Sequence, residues 1–107
     1  MINIDDFFKV EISVGKVTQA ENVQKSEKLI RLQVDFGDEG TRTIFTGVRT
    51  FGYSPENFTD KQFLFVTNLE PRKMMGEESQ GMILAVDGED KPFFITAEGL
   101  PLGAKVR

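Results

Sequence analysis

Apolar and polar residues alternate along much of this chain with a period of two, the spacing of half-buried strands. Val10, Ile12 and Val14 alternate with Glu11 and Ser13, predicting a first strand. At Gly15-Lys16-Val17 the apolar phase flips by one position, predicting a bulge at Gly15 that bends a long strand. Ile30, Leu32, Val34 and Phe36 alternate with Arg31, Gln33 and Asp35, a second strand with one polar face. Gly37-Asp38-Glu39-Gly40 has the composition of a hairpin turn. It leads into a third strand, Thr41 to Val48, rich in β-formers. Phe63-Leu64-Phe65-Val66 is apolar on both faces and predicts a deeply buried fourth strand. Met82 to Val86 predicts a fifth, closed by a turn at Asp87-Gly88. Between the third and fourth strands, Ser54 ahead of Pro55 predicts a short helix or 3₁₀ turn with Ser54 as its N-cap. Asp5 to Lys9 predicts one helical turn capped by Asp5. Asn22 to Glu27 reads as a polar loop, and Pro71 to Gly76 as a basic and apolar one.

Five strands with a short helix between the third and fourth is the order of the oligonucleotide-binding (OB) barrel. The expected architecture is therefore all-β: one domain over residues 1–107, a five-stranded OB-fold barrel with a short helix and extra C-terminal strands or an extension. Phe93-Phe94-Ile95 and Leu102 to Val106 exceed what five strands need, as do Phe7 and Phe8 at the other end. Left exposed they would make an apolar patch, so they are expected to cover something.

Composition narrows the chemistry. The chain has no cysteine and no histidine, which removes disulfides, thiolate nucleophiles, His-containing metal sites and His-based triads. Ser79, flanked by Gly76 and Gly81, does not sit in a G-x-S-x-G elbow and has no histidine to serve as its base. Glu77, Glu78, Asp87, Glu89 and Asp90 lack the spacing of a calcium loop and read as solvated turns. No catalytic residue, metal or cofactor is expected. No apolar run reaches the length of a membrane span, and the first residues lack the pattern of a signal peptide, so the cytoplasm is the expected compartment. The net charge of −4 is unlike that of a generic nucleic-acid binder, so any such role must rest on local charge. Lys25, Lys28 and Arg31 enter the second strand, Arg42 lies on the third, and Arg72-Lys73 precede the fifth. On an OB barrel these elements face nucleic acid. Met74 and Met75 beside Arg72-Lys73 give a loop the composition expected where a base or ribose packs on protein.

The string Asn68-Leu69-Glu70-Pro71-Arg72-Lys73-Met74-Met75-Gly76-Glu77-Glu78-Ser79-Gln80-Gly81-Met82 resembles one family closely. It is similar to the tRNA-binding domain found at the C-terminus of many bacterial methionyl-tRNA synthetases and as free-standing small dimers. The resemblance extends to Asp6-Phe7-x-Lys9-Val10-x-Ile12-x-Val14-Gly15-Lys16-Val17 and to Lys25-Ser26-x-Lys28-Leu29-x-x-Leu32-x-Val34-Asp35. It implies an OB barrel without catalytic activity that recognises the fold of tRNA, chiefly its outer corner, with little sequence readout. Structured RNA is largely read through shape, phosphates and 2′-hydroxyls. By matching position it implies Lys25, Lys28, Arg72, Lys73, Ser79 and Met82 as tRNA-binding residues, joined by Asn68 and Gln80; Arg31 and Arg42 come from the strand pattern alone. It also implies a homodimer with Phe7, Phe8, Phe93, Phe94, Ile95, Leu102 and Val106 in the interface, and a methionyl-tRNA synthetase catalytic region as a possible partner. The acidic total and the apolar ends leave an alternative open, a dimerisation or chaperone-like peptide-binding module with little tRNA affinity. Arg49 departs from the family pattern and carries a charge that the sequence does not place.

Overall fold

The alternating segments pair into one antiparallel sheet in the computed structural model, which describes residues 1–107. Strands β1 (Ile12–Asn22), β2 (Ile30–Asp35), β3 (Thr41–Thr46), β4 (Gln62–Val66) and β7 (Met82–Ile83) form it in the order β3–β2–β1–β4–β7. The eleven residues of β1 serve two neighbours. Its first half pairs with β4, from Ile12↔Val66 to Lys16↔Gln62, and its second half with β2, from Lys16↔Asp35 to Asn22↔Ile30. A long, bent first strand shared in this way is what lets a small sheet curl into an OB barrel.

The bend differs in detail from the sequence expectation. The register shift lies between Val17 and Gln19, so the extra residue is Thr18, not Gly15. Gly15 is required for a different reason. A Cβ there would stand 2.6 Å from Val34 Cγ1 and 2.7 Å from a Phe36 ring carbon, inside the packed core. The phase flip in the sequence therefore marks a close approach of side chains to backbone, three residues before the bulge.

Alternation places Val17, Ile30, Leu32, Val34, Ile44, Phe63 and Phe65 inside the barrel, essentially without solvent contact. Each such aliphatic or aromatic side chain stabilises the fold by about 1.5–3 kcal/mol through burial. The predicted short helix is a 3₁₀ turn, Pro55–Asn57, with Ser54 and Asn57 in a reciprocal capping box. It delivers Phe58 into the barrel, where the ring packs on Tyr53, Phe63 and Phe94 with centroids 5.1–6.0 Å apart. The β2–β3 turn is also 3₁₀, over Gly37–Glu39. The N-terminal helix α1 (Ile4–Phe7) is capped by Asn3, whose Oδ1 accepts from Asp6 N at 2.8 Å; the expected cap, Asp5, lies inside the helix.

Two predicted elements divide. The basic and apolar loop is a hairpin of β5 (Arg72–Met74) and β6 (Glu77–Ser79), pairing only with each other. Met75 and Gly76 turn it with φ of 54° and 85°, the doubly left-handed geometry that suits the twist of a two-residue hairpin loop. The predicted fifth strand breaks after Ile83. Leu84 bonds across to Leu64, while β8 (Ala85–Gly88) leaves the barrel and pairs with β9 (Lys91–Phe94). The C-terminal segment then returns along the free edge of β1, with Val14 N donating to Ala104 O and Val106 N to Ile12 O.

Candidate nucleic-acid interface

Side chains from β6 and its exit join the two ends of the sheet, because β3 and β7 share no ladder. Ser79 Oγ accepts from Phe45 N at 3.0 Å, Gln80 N donates to Thr43 O at 2.8 Å, and Gln80 Oε1 accepts from Thr43 N at 3.1 Å. Arg42 lies across the same seam, donating to the carbonyls of Thr67 and Gln80 with its guanidinium 5.9 Å from the Phe36 ring centre. Gly81 completes the turn at φ 150°, where a Cβ would lie 2.8 Å from Val66 O. Just beyond this same end of β4, Asn68 ties the chain to the N-terminal segment, accepting from Glu11 N and donating to Lys9 O. Four residues singled out from the sequence (Arg42, Asn68, Ser79 and Gln80) thus have polar atoms engaged with the protein's own backbone. Ser79 is buried as well.

The β5–β6 hairpin and the loop between β1 and β2 stand as two walls over the outer face of β2 and β3. Between them lies a cleft of about 370 Å³ lined by Lys25, Arg31, Phe45, Met74, Met75 and Glu77, among others. A smaller hollow of about 100 Å³ adjoins it, sharing Phe45 and Met74 and adding Arg72, Ser79 and Met82. The structure therefore brings Lys25, Arg31, Arg72, Ser79 and Met82 to one continuous stretch of surface. Lys28 stands exposed at the end of the loop wall. Cross-strand pairing separates the two basic residues of the hairpin. Arg72 opposes Ser79 and shares its barrel-facing side, whereas Lys73 opposes Glu78 on the other face.

Charge in the cleft is uneven. Arg31 on the floor is held by a two-pronged contact with Glu77, Nε and Nη2 each 2.7 Å from a carboxylate oxygen, and Glu21 lies 3.5 Å from Nη1. With its amide oxygen turned inward, Gln33 accepts from the same guanidinium at 2.9 Å. The hydrogen bond to Arg31, assisted by its charge, holds the Glu77 carboxyl below the ordinary carboxylate value, and the same bond raises the Arg31 guanidinium. Lys25, Lys28 and Arg72 on the walls form no ion pair.

The sequence reading missed three participants. Phe45 ends a run of β-formers and looks like core, yet it floors both hollows. Glu77 reads as a solvated turn but pairs with a residue 46 positions away. Arg49 donates to the carbonyls of Val23 and Ser26, while its own N–H bonds Lys28 O at 3.1 Å. The charge with no place in the sequence pattern thus fastens the loop that carries Lys25 and Lys28.

The residues matched by a family model, 12–105, run from the first residue of β1 to the C-terminal segment paired with it; the family is described as "Putative tRNA binding domain". The chain belongs to this tRNA-binding domain family. It is 47% identical over 109 residues to methionine–tRNA ligase 1 of Bacillus cereus, across 99% of this chain and 16% of the ligase. The chain spans only 13–16% of the curated relatives it matches. Among solved structures, a MetRS-related protein from Pyrococcus horikoshii superposes with a TM-score of 0.93 at 42% identity, covering 100% of this chain and 98% of that one. The chaperone CsaA of Bacillus anthracis superposes with a TM-score of 0.86 at 27% identity, covering 100% and 99%. These matches agree with the OB-type barrel expected from the strand order.

Proposed function

We propose that this domain binds folded tRNA across the cleft between the β1–β2 loop and the β5–β6 hairpin, without catalysing a reaction. The observation that carries this reading is the placement of unpaired cations, Lys25 and Lys28 on one wall and Arg72 on the other, around the apolar Phe45, Met74 and Met75. Cations at the rim suit phosphates, and thioether and ring surfaces suit a ribose or a base edge. The left-handed backbone at Met75, unusual for a side chain larger than glycine, holds that thioether exposed at the hairpin tip. Lys73, on the hairpin's far face, would reach RNA only beyond the cleft. Recognition of the outer corner of tRNA belongs to the same reading, as does service as an appended or auxiliary domain of a methionyl-tRNA synthetase, which the likeness to methionine–tRNA ligases supports. Folded tRNA titrated at rising salt should lose affinity linearly on a log–log plot. Lys25→Gln, Lys28→Gln and Arg72→Gln should each flatten the slope by roughly 0.7–0.9 per phosphate contact removed. No binding at low salt, or slopes indifferent to all three changes, would end the reading.

The domain is further proposed to act as a homodimer. Phe8, Val10, Ile12 and Val106 line a groove of about 220 Å³ beside Lys105 and Arg107. Phe93 and Ile95 are exposed on and just beyond β9. Phe7 and Leu102 are half-buried, and Phe94 turns inward onto Tyr53 and Phe58. Of the seven residues expected in the interface, Phe94 is thus the one that mainly completes the barrel core. The same apolar groove, with the CsaA likeness, is what favours the alternative of a peptide-binding module. Mass in solution, measured alongside the tRNA titration and a titration with an unfolded polypeptide, separates the two.

A further inference from the structure

The β5–β6 hairpin is anchored asymmetrically. At its base, Ser79 and Gln80 hold it to β3. Along residues 70–78, the hydrogen bonds that reach the barrel are those of Glu77 with Arg31. The ribbon has no ladder to any other strand. Arg31 in turn presents its guanidinium to the cleft, only about a quarter exposed, with Glu77 occupying two N–H groups in the geometry that a phosphate takes on an arginine. Glu21 approaches a third position at 3.5 Å. A carboxylate therefore stands where an RNA phosphate would be held, in the one place where the cleft floor carries a cation.

We propose that Glu77 is an internal stand-in for phosphate: it latches the hairpin over the empty cleft, and an RNA phosphate exchanges with it at Arg31, freeing the hairpin to close on the nucleic acid. This rests on the tRNA-binding reading above and adds to it a positioning residue and a built-in competitor. The exchange is physically accessible. A partly exposed ion pair is weak because solvent screens it and holding two long side chains in one geometry costs entropy, so a polyanion offering several other contacts can displace one carboxylate. The pair also lowers the affinity the cleft would otherwise show, because the carboxylate must be removed before the phosphate binds.

Four proteins test this with folded tRNA and salt titrations. Glu77→Gln removes the competitor and should bind several-fold more tightly than wild type, with an unchanged salt slope, since the same phosphates are neutralised in both. Arg31→Gln should bind more weakly and flatten the slope by roughly 0.7–0.9, one phosphate contact. Glu78→Gln, on the opposite face of the ribbon, removes an equal charge without touching the latch and should change affinity by less than about twofold. Amide hydrogen exchange across residues 72–79 should be faster in Glu77→Gln than in wild type, a readout that needs no RNA. An Arg31→Gln slope equal to that of wild type, or a Glu77→Gln affinity no better than that of Glu78→Gln, overturns the exchange while leaving tRNA binding intact. Failure of the wild type to bind tRNA overturns the underlying reading, and unchanged hydrogen exchange overturns the latch independently. Should Arg31→Gln not fold, the two glutamate variants still decide.

Discussion

Ser79 is the residue at which a structural and a ligand-contacting role make opposite forecasts. Its hydroxyl accepts from Phe45 N at 3.0 Å and donates to Gly81 O at 3.4 Å, and the residue is 6% exposed. Ser79→Ala removes one oxygen and hardly changes the packing. What it leaves is the Phe45 N–H, on a residue that is itself 7% exposed, with no acceptor at the seam between β3 and β6. A buried donor stripped of its partner costs about 1–3 kcal/mol, and the long bond to Gly81 adds little, so a loss of about 2 kcal/mol is expected. For a domain of this size that is a fall in Tm on the order of 8–16 °C. Urea unfolding followed by circular dichroism should show a lower midpoint with the m-value unchanged, since the folded surface is the same. At a temperature well below its own transition, the variant should hold tRNA within about twofold of wild type, a change of less than about 0.5 kcal/mol. A variant as stable as wild type that has lost tenfold in affinity would refute this reasoning and return Ser79 to the RNA contact set.

Gly81→Ala should be costlier, about 2–4 kcal/mol, because a side chain at φ 150° is strained and its Cβ would press on Val66 O and on Ile44; a midpoint within error of wild type would show that the turn relaxes. The Glu77–Arg31 pair gives a sign for acid behaviour. Glu77 has its folded value lowered from 4.5, so its contribution is complete above the unfolded value and disappears as pH falls through the lowered one; Arg31, raised further above the ordinary guanidinium value, stays charged throughout. Between about pH 6 and about pH 3, wild type should lose more stability than Glu77→Gln. Parallel curves would show that the fork contributes nothing to folding.

Strands with one wet face were legible in the sequence, because burial of alternate residues leaves a period-two trace, as at Ile30 to Asp35. Elements whose pairing depends on distant partners were not. Nothing near Met82 announces that the chain leaves the barrel after Ile83, since Ala85 and Val86 continue the same apolar run. The hairpin at Arg72–Ser79 hid behind residues with weak strand preference and a turn that places methionine, not glycine, at its first left-handed position. Gly15 shows the converse, a visible signal with a different cause: the phase flip was real, but steric contact with Val34 and Phe36 produces it. For the site, the sequence identified the segments and not the commitments of their side chains. Whether an arginine is free or engaged depends on which carbonyl or carboxylate folding brings beside it, and no local pattern records that.

That distinction bears on how an acidic domain can serve a polyanion. Of the five arginines, Arg31 faces two carboxylates, while Arg42 and Arg49 are spent on backbone carbonyls at the seam and in the loop. Arginine's planar fork suits it to such fixed partners, whereas a lysine's compact ammonium on a flexible stem adapts to phosphates whose positions vary. Arg72 apart, the cations left unpaired around the cleft are lysines, Lys25 and Lys28, and the loop bearing them is stiffened by Arg49. A rim of adaptable point charges on a fixed support, above an apolar floor, is suited to reading the course of a phosphate backbone and poorly suited to reading bases, which calls for bidentate hydrogen bonding. The net charge of −4 is then compatible with binding. Charges more than a Debye length of about 8–10 Å away are screened, so the potential over the cleft is set by the residues at its edge, where Lys25, Lys28 and Arg72 stand among Glu21, Glu70 and Glu77. It also follows that affinity should be modest and steeply salt-dependent, and that removing Glu77 should strengthen it more than adding a lysine elsewhere on the surface.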